Sequence, residues 1–414
     1  MEIVDVEPRV DPRDRAEDAA AFHTWAAAAT TELVAVRRRL HAHPELGRAE
    51  WMTTRFLSDR LTAAGLDPVI MPGGVGLWCD IGNPVGPRVM VRGDMDALPI
   101  TDEKDVPYRS TVPGVCHACG HDVHSTIALG TALALAQRHA SVPLPGQVRV
   151  LFQHAEELPP PGGAHEAVAA GALEEVSAAF SVHCDPTIDV GQIGLRVGEI
   201  TSAISYLDVI LTGPGGHTAR PYNTVDLIYA LAKVATELPA TLSRRVDPRA
   251  ALSMVWGRIE AGTASNAIPQ RGILGGTLRT MSMDLWRRAP ELCEQIIRQI
   301  AEPFGATVEL GFRPGIPPVM NEERATRLLT DQTALMAPDA LAVPTAQSLG
   351  AEDFALYAEL VPSSLARLGT RVPGGATCDL HQGGFDVDER AIGLGVRLMA
   401  GAAVSALTEP GLAV

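Results

Sequence analysis

Short, continuously apolar segments that alternate with helical patterns are the feature that most constrains how this chain folds. They predict strands at residues 77–81, 89–92, 148–152 and 179–182, and residues 123–139 have the small-residue composition of a crossover helix. Strands that are apolar throughout, rather than on alternate residues, are typical of a mostly parallel sheet covered on both faces. The pattern therefore predicts an α/β fold.

A different pattern begins near Gly198. The predicted elements are strands at 203–213, 251–260, 271–280 and 307–312 and helices at 224–238 and 283–301. Their order, β-α-β-β-α-β, is that of a ferredoxin-like unit. Because α/β patterns return after residue 314, we predict a discontinuous domain of residues 1–198 and 315–414, with an α+β domain of residues 199–314 inserted into it.

Charge and cysteine content restrict the partners and the compartment. The 414 residues carry a formal net charge of -15, which argues against nucleic-acid binding because phosphate contacts need clustered cations. The chain has no run of about 18 apolar residues, and its acidic start contains no apolar core of a signal peptide. Its six cysteines are too sparse for a disulfide framework. We therefore expect a cytoplasmic protein without a nucleic-acid or membrane partner.

Four predicted strands, the last of them at residues 377–380, run into side chains that can bind metal or transfer protons. These side chains are Asp94, Asp96, Glu156, Glu157, His183 and His381. The carboxyl ends of parallel strands lie at one edge of a sheet, so we expect the side chains to converge on one cleft. Glu156 and Glu157 are adjacent at a strand end and are expected to point in different directions, so that one binds metal while the other transfers a proton.

The densest group of metal-competent residues lies between Cys116 and His124. It contains Cys116, His117, Cys119, His121, Asp122 and His124. Thiolate and imidazole groups two residues apart suit zinc or a similar metal, and Asp122 or Asp96 could accept a hydrogen bond from a ligating imidazole. Two alternatives are a redox Cys-x-x-Cys motif, which lacks a thioredoxin-like context, and a structural zinc site, which would need four closed ligands.

The order of these motifs along the chain resembles one enzyme family. The motifs are Arg38 to Gly47, Asp94 to Pro99, His117 to Asp122, Phe152 to Glu157, Gly215 to Pro221, Ser265 to Pro269, Gly276 to Thr280, Gly350 to Phe354 and Leu380 to His381. From about Glu32 to Glu389 the chain resembles the dinuclear metal-dependent amidohydrolases and peptidases of the aminoacylase and carboxypeptidase-G type. It is most similar to their branch of hippurate hydrolases and indole-acetyl-amino-acid hydrolases.

The resemblance implies a role for individual residues. The metal ligands would be Cys119, His121, Glu157, His183 and His381, holding two divalent ions, with zinc expected first and manganese, cobalt or nickel as alternatives. Glu156 would be the general base and acid, and Asp96 a supporting carboxylate. The inserted domain would be a lid that forms a homodimer. From it His217 and Asn266 would reach a substrate-binding site, which for His217 is often that of the partner subunit, and His217 would also stabilise the oxyanion. Arg279 would bind the substrate carboxylate, as an arginine fork can.

The implied reaction is the hydrolysis of an N-acyl amino acid, or a related amide conjugate, to a carboxylic acid and a free amino acid by attack of metal hydroxide. One alternative is a dipeptidase or aminopeptidase, which would need an acidic anchor for the free amine. Others are a specialised biosynthetic deacylase and a non-catalytic relative, although the latter would be expected to lack Glu156 or a ligand. His154 and residues 158–163 and 378–384 depart from the branch's usual pattern near the pocket. The resemblance therefore does not specify the acyl group of the substrate. We interpret His41 and His43 as structural.

Overall fold

The chain folds into two compact units. The computed structural model describes residues 12–412, with side chains from Arg15 onward. The first unit contains the chain up to Gly198, together with Met320–Ala346 and the residues from Asp353 onward. The second unit consists of Glu199–Val319 and the short segment Gln347–Glu352. The chain therefore leaves the first unit, returns to it after Val319, and contributes one further short segment to the second.

The helices and strands are numbered in chain order. The segment up to the first unit boundary contains α1 (Pro12–Ala42), α2 (Trp51–Ala63), β1 (Val69–Ile70), β2 (Leu77–Gly82), β3 (Arg88–Asp94), α3 (His121–Ser141), β4 (Gln147–Gln153), α4 (Gly163–Ala169), β5 (Val176–Asp189), β6 (Gln192–Leu195) and β7 (Gly198–Glu199). Next come β8 (Ala203–Thr212), β9 (Gly216–His217), α5 (Leu227–Arg245), β10 (Ser253–Ala261), β11 (Ala267–Ile268), β12 (Arg271–Thr280), α6 (Met283–Ala301) and β13 (Thr307–Pro314). The last segment contains β14 (Met320–Asn321), α7 (Glu323–Met336), β15 (Leu341–Pro344), α8 (Ala355–Ala358), β16 (Ser363–Arg371) and α9 (Arg390–Ala406).

The first unit is built on an eight-stranded sheet in the order β1-β2-β4-β3-β5-β16-β6-β15. The four central strands, β4, β3, β5 and β16, are parallel to one another. Antiparallel pairs lie on both sides of this centre, where β1 pairs with β2, β2 with β4, and β16 with β6. The predicted α/β fold with a mostly parallel sheet is confirmed. Every residue of β3 and β4 after the first is buried, as their continuous apolar character predicts.

Two details of the predicted strands are wrong. Residues 377–380 form a loop rather than a strand, and the central strand β16 lies just before them. The sequence of β16 conceals its position because Ser363, Ser364 and Arg367 are polar yet buried. In addition, β5 continues to Asp189 instead of ending before His183, since β16 pairs with it along this polar stretch. Hydrogen bonding between strands distant in sequence therefore overrides local composition here.

The second unit has the predicted β-α-β-β-α-β order, formed by β8, α5, β10, β12, α6 and β13. These strands form one antiparallel sheet in the order β10-β12-β8-β13, which is the ferredoxin-like arrangement. Apolar side chains of β8, β12, α5 and α6 form its core. The short strands β9 and β11 pair separately as a two-stranded ribbon.

No helix within residues 12–412 combines the length and the apolar composition that a membrane crossing requires.

Candidate active site

A left-handed glycine brings the first two predicted metal ligands together. Gly120 has φ = 84° and directly precedes α3, and a Cβ atom there would lie 2.8 Å from the Cys184 sulfur. Only glycine fits this conformation and this close approach without strain. As a result Cys119 ends the preceding loop, His121 begins the helix, and both side chains are buried. The ligand atoms of Cys119, His121 and His183 lie within 4.8 Å of one another.

Hydrogen bonds orient both buried imidazoles in the same way. The Nδ1 atom of His183 donates to the Cys184 carbonyl at 2.8 Å, which leaves Nε2 as the lone-pair atom, 3.5 Å from the Cys119 sulfur. His121 Nδ1 lies 3.1 Å from Asp96 Oδ1 and its Nε2 faces Glu156 and Glu157. Fixing Nδ1 in this manner is how proteins select the tautomer of a metal-ligating histidine.

Asp96 supports two of the predicted ligands at once. One carboxylate oxygen of this buried residue pairs with His121, and the other accepts the backbone N–H of Glu157 at 3.0 Å. Asp96, which follows β3, therefore holds both His121 in the first turn of α3 and Glu157 after β4. The predicted role of a supporting carboxylate matches this geometry.

Glu156 and Glu157 converge, whereas we expected them to point in different directions. The Oε2 atom of Glu156 lies 3.9 Å from His121 Nε2, and the Oε1 atom of Glu157 lies 3.8 Å from the same nitrogen. The pair lies beyond the end of β4, and just before it Ala155, with φ = 53°, turns the chain out of the extended conformation. The alternation of side chains along a strand therefore does not apply here.

His381 completes the cluster from a loop. Its Nε2 atom lies 3.2 Å from Glu157 Oε1, and its backbone N–H donates to the Ala118 carbonyl at 2.8 Å. Its side chain is 51% exposed, in contrast to the buried His121 and His183. The ligand atoms of Cys119, Glu157 and His381 also lie within 4.8 Å of one another. The structure thus brings together all five predicted ligands and Glu156.

The electrostatics of the cluster favour a bound cation. Burial, followed by the charges of Glu157 and Glu156, raises the pKa of the Cys119 thiol well above its ordinary value. Burial lowers the pKa of His121, but Asp94, Asp96 and Glu157 outweigh it and raise the pKa to about 10. Burial, together with His124, lowers the pKa of His183 well below its usual range. A cation at the centre would reverse the effect on the Cys119 thiol, because it stabilises the thiolate.

Unsatisfied polar atoms test whether these residues fit a metal. His121 Nε2 is buried and has no hydrogen-bond partner among the residues that the structure describes, and Glu157 Oε1 has only the contact with His381 Nε2 at 3.2 Å. Such atoms are uncommon in folded proteins and call for a ligand. Imidazole, thiolate and carboxylate donors together suit zinc and similar divalent metals. The donor set therefore fits the metal site that the sequence predicts.

His124 belongs to the same motif but is not positioned as a ligand. Its Nε2 atom accepts the backbone N–H of Cys184 at 2.8 Å, so Nδ1 carries the proton and donates to Asp94 at 2.6 Å. Both nitrogens are therefore in use. Of the other histidines, His41 pairs with Asp122 at 2.7 Å inside the fold, whereas His43 is exposed and its Nδ1 lies 3.3 Å from the Thr111 hydroxyl.

The two alternatives for the Cys116 to His124 motif agree less well with the geometry. A redox pair needs an accessible thiol, but Cys116 and Cys119 are both buried, and burial raises the pKa of Cys116 to about 11. A structural zinc site would be closed by four ligands, whereas this cluster includes two carboxylates and the half-exposed His381.

Three further predicted site residues belong to the second unit. His217 in β9 pairs with Ala267 in β11, and the Asn266 carbonyl accepts the N–H of Thr218, so His217 and Asn266 lie on the same ribbon. The backbone N–H of Ala219 donates to His217 Nδ1 at 3.0 Å, which leaves Nε2–H of the neutral ring to act as a donor. Arg279 lies on β12, and one of its terminal nitrogens donates to the Leu349 carbonyl at 3.2 Å.

Sequence reasoning did not single out two residues that contact Glu156 or the residue before it. The backbone N–H of Asp353 lies 3.4 Å from Glu156 Oε1, and its carboxylate binds Arg92 at 2.8 Å. Glu50 accepts the backbone N–H of Ala155 at 2.8 Å. Asp353 lies in the motif Gly350 to Phe354, which was the one signal available for it, whereas Glu50 lies three residues beyond the motif that ends at Gly47.

His154, a departure from the family pattern, has a structural partner. Its Nε2 atom lies 2.6 Å from Glu166 Oε2 on α4, and Arg48 binds the other oxygen of the same carboxylate at 2.7 Å. This buried imidazole therefore connects the residue before Ala155 to α4, the helix that follows Glu156 and Glu157.

Comparison with curated proteins finds relatives over most of the chain. An N-acetylcysteine deacetylase of Bacillus subtilis is 34% identical over 389 residues, 94% of this chain and 98% of that protein. An N-acyl-L-amino acid amidohydrolase of Geobacillus stearothermophilus is 39% identical over 292 residues, 70% of this chain and 78% of that protein. A Rhodococcus jostii protein named for glutamate–cysteine ligase is 45% identical over 369 residues, 89% of this chain but only 46% of that protein. The chain thus spans about half the length of this last relative.

Among solved structures, a Bacillus subtilis protein described as a dinuclear metal binding peptidase of the M20 family is similar in fold, with a TM-score of 0.81. It is 32% identical, and the match covers 92% of this chain and 99% of that one. The sequence profile described as peptidase family M20/M25/M40 matches residues 90–405, which include His121, Glu156, Glu157 and the other candidate ligands. This protein belongs to the peptidase family M20/M25/M40.

Proposed function

We propose that this enzyme hydrolyses the amide bond of an N-acyl amino acid, or of a related conjugate, to release a carboxylic acid and a free amino acid. The observation that carries the proposal is the convergence of Glu156 on a cluster of thiol, imidazole and carboxylate groups in which the buried His121 Nε2 has no hydrogen-bond partner among the described residues. The relatives named for the hydrolysis of N-acetylcysteine and of N-acyl amino acids support this substrate class.

The cofactor in this proposal is a pair of divalent metal ions, and zinc is the metal we expect. The ligands would be Cys119, His121, Glu157, His183 and His381. When bound, such ions lower the pKa of a coordinated water and polarise the substrate carbonyl. The thiol and the imidazoles favour zinc, while the carboxylate leaves manganese, cobalt or nickel as candidates.

Glu156 is the group that we assign to proton transfer. Its carboxylate is buried and lies 3.9 Å from His121 Nε2, and the neighbouring Glu157 is held in place by Asp96. In this role Glu156 takes the proton of the attacking water and delivers it to the nitrogen of the leaving amino acid as the carbon–nitrogen bond breaks. Proton transfer by a positioned group typically contributes 10²–10⁴ in rate.

Substrate binding is assigned to the second unit. His217 can donate its Nε2–H to the oxyanion that develops on the carbonyl, and Asn266 beside it can bind the amide. Arg279 uses one donor on the Leu349 carbonyl, and a guanidinium group has five donors, so a carboxylate can still bind to the others. The amino acid carboxylate is the group that we assign to Arg279.

We further propose that the protein is a cytoplasmic homodimer that associates through the second unit. β10 is an edge strand of the four-stranded sheet, and its Val255 and Ile259 are 59% and 62% exposed. An exposed apolar edge strand is suited to pairing with a second copy. All six cysteines are free thiols, and the Cys119 ligand needs a reducing compartment to stay so.

An activity screen tests the function directly. The purified protein, loaded with zinc, manganese, cobalt or nickel, is offered N-acyl amino acids in which the acyl chain and the amino acid are varied separately. Dipeptides that match the best substrates are tested in parallel. We expect N-acylated forms to be cleaved faster than dipeptides with a free amine, and chelation to abolish the activity. Undiminished activity after chelation, or faster cleavage of the dipeptides, would contradict the proposal.

A further inference from the structure

We propose that Glu50 is a positioning residue whose buried carboxyl group holds Ala155 in a left-handed conformation, which turns the segment that carries Glu156 and Glu157 toward His121. The inference rests on the proposed function only in assigning proton transfer to Glu156. It concerns how the chain places that group, and neither the relatives' names nor the sequence motifs assign it.

Ala155 has an unusual backbone conformation for its residue type. Its φ of 53° lies in the left-handed region, which non-glycine residues rarely adopt and which alanine has no polar side chain to stabilise. Its two backbone groups are both bound: the N–H donates to Glu50 Oε1 at 2.8 Å, and the carbonyl accepts the N–H of Gly163 at 3.0 Å. The surrounding structure therefore imposes a conformation that the residue would not adopt by itself.

This conformation decides where the two carboxylates point. The two backbone torsions of residue 155 set the direction in which the chain leaves β4, and therefore where the segment with Glu156 and Glu157 lies. Here Glu156 and Glu157, which follow Ala155 directly, both come within 4 Å of His121 Nε2. If Ala155 returned to the extended region, this segment would leave β4 in another direction and the two carboxylates would lose this position. Catalysis that needs one carboxylate for metal and its neighbour for proton transfer therefore depends on the turn.

The side chain of Glu50 has no other role that the described contacts reveal. It precedes α2 at the position of a helix cap, yet it makes no capping hydrogen bond. Glu45 accepts the first N–H groups of that helix instead, from Met52 and Thr53. Glu50 is fully buried, and its second carboxyl oxygen has no hydrogen-bond partner within residues 12–412. Burial of a carboxyl group with one hydrogen bond to another residue is costly, so we take the bond to Ala155 as the function of this side chain.

The protonation of Glu50 suggests a conservative variant. Burial, and then the charge of Asp96, raises the pKa of Glu50 to about 8. At neutral pH the group is therefore largely uncharged and acts on Ala155 as a neutral acceptor. Glutamine has the same shape and keeps that acceptor, whereas methionine has a similar volume and no acceptor.

The test is a double-mutant cycle in the full-length, metal-loaded enzyme. Glu50→Gln is expected to keep kcat within about threefold of the wild type. Glu50→Met is expected to lower kcat at least 30-fold, with KM changed less than threefold and two metal ions still bound. Glycine adopts positive φ without strain. Adding Ala155→Gly to Glu50→Met should therefore recover kcat at least tenfold, whereas Ala155→Gly alone should stay within threefold of the wild type.

Several results would overturn the inference. These are a wild-type kcat for Glu50→Met, a 30-fold loss for Glu50→Gln, or a double variant no faster than Glu50→Met. If Glu50→Met does not fold, Glu50→Asp replaces it, because its carboxyl group is one carbon too short to reach Ala155. We then expect about a tenfold loss of kcat that Ala155→Gly reverses, and a loss that Ala155→Gly leaves in place would count against the role.

A crystal structure separates this inference from the proposed function. In Glu50→Met we expect φ of residue 155 to leave the left-handed region, while in Glu50→Gln it stays there. A positive φ in Glu50→Met would overturn the positioning role, whatever the enzyme cleaves. Should the wild type cleave no N-acyl amino acid, the proposed function fails, and the two crystal structures still decide the role of Glu50.

Discussion

Two clusters of buried charge share the first turn of α3 and differ in how their charges are balanced. Asp122 faces Arg37 and His41, whose nitrogens both lie 2.7 Å from its Oδ2 atom. His121, one residue earlier, faces Glu156 and Glu157, and its Nε2 has no hydrogen-bond partner in the part of the chain that the structure describes. We name them the Arg37 cluster (Arg37, His41, Asp122) and the ligand cluster (Cys119, His121, Glu157, His183, His381).

The comparison distinguishes buried charges that are balanced within the fold from buried charges that need a bound ligand. Burial raises the pKa of Asp122, but Arg37 and His41 outweigh it and hold the pKa well below its usual range. The Arg37 cluster thus stabilises its own anion. In the ligand cluster, burial and the neighbouring carboxylates raise the pKa of Cys119. Because that cluster contains no arginine or lysine, a metal ion is the cation that would balance it.

The largest expected effect is on catalysis. Glu156→Gln should lower kcat by about 10³-fold, since the amide cannot take up the proton, while two metal ions stay bound. Steady-state kinetics and metal analysis measure this. Asp386→Asn is the matched control, because Asp386 binds Arg37 at 2.8 Å outside the ligand cluster and should leave kcat within threefold. Retained activity in Glu156→Gln would contradict the assignment.

The next largest effect compares the two clusters by stability. Arg37→Met leaves the buried Asp122 without its main counter-charge, so the free energy of unfolding should fall by about 3–5 kcal/mol. Cys119→Ala should change the stability of the metal-free protein by less than about 2 kcal/mol, since the thiol makes no ion pair there. Urea unfolding of the metal-free proteins checks both values. Equal losses in the two variants would remove the distinction between the clusters.

A third prediction separates two histidines one turn apart on α3. His124→Asn should cost about 1–3 kcal/mol, because Asp94 and the Cys184 N–H lose their partner, yet two metal ions should still bind. His121→Asn should lower the metal content instead. Metal analysis after dialysis, with calorimetry of the metal-free proteins, distinguishes them. A loss of metal in His124→Asn would make His124 a ligand.

The smallest effect is a pH dependence. The pKa of Glu50 is raised to about 8, so its proton stabilises the fold fully below pH 4.5, and this stabilisation is lost as the pH rises through 8. Between pH 7 and pH 9 the metal-free wild type should lose about 1 kcal/mol more than Glu50→Gln, which does not titrate. Denaturant unfolding at the two pH values checks this. Parallel pH profiles would place the pKa of Glu50 near its ordinary value.

Much of the fold was predictable because local patterns and tertiary contacts agree. The strands β3 and β4 are buried on both faces and therefore read as apolar runs, and α6 has the predicted bounds of residues 283–301. β16 was missed because Ser363, Ser364 and Arg367 are polar although buried. The hydroxyl of Ser364 lies 3.0 Å from that of Thr326, a partner that the sequence does not reveal.

By itself the sequence determined the residue types of the site and the edge of the sheet where they collect. Cys119 and His121 flank a glycine, and Asp96, Glu156 and Glu157 follow predicted strands. The sequence alone shows both features. Only the tertiary structure decided which nitrogen of each histidine faces the site, and that Glu156 and Glu157 converge. Those choices depend on single hydrogen bonds from residues distant in the chain, such as the bond from Ala155 to Glu50, which leave no pattern in the sequence.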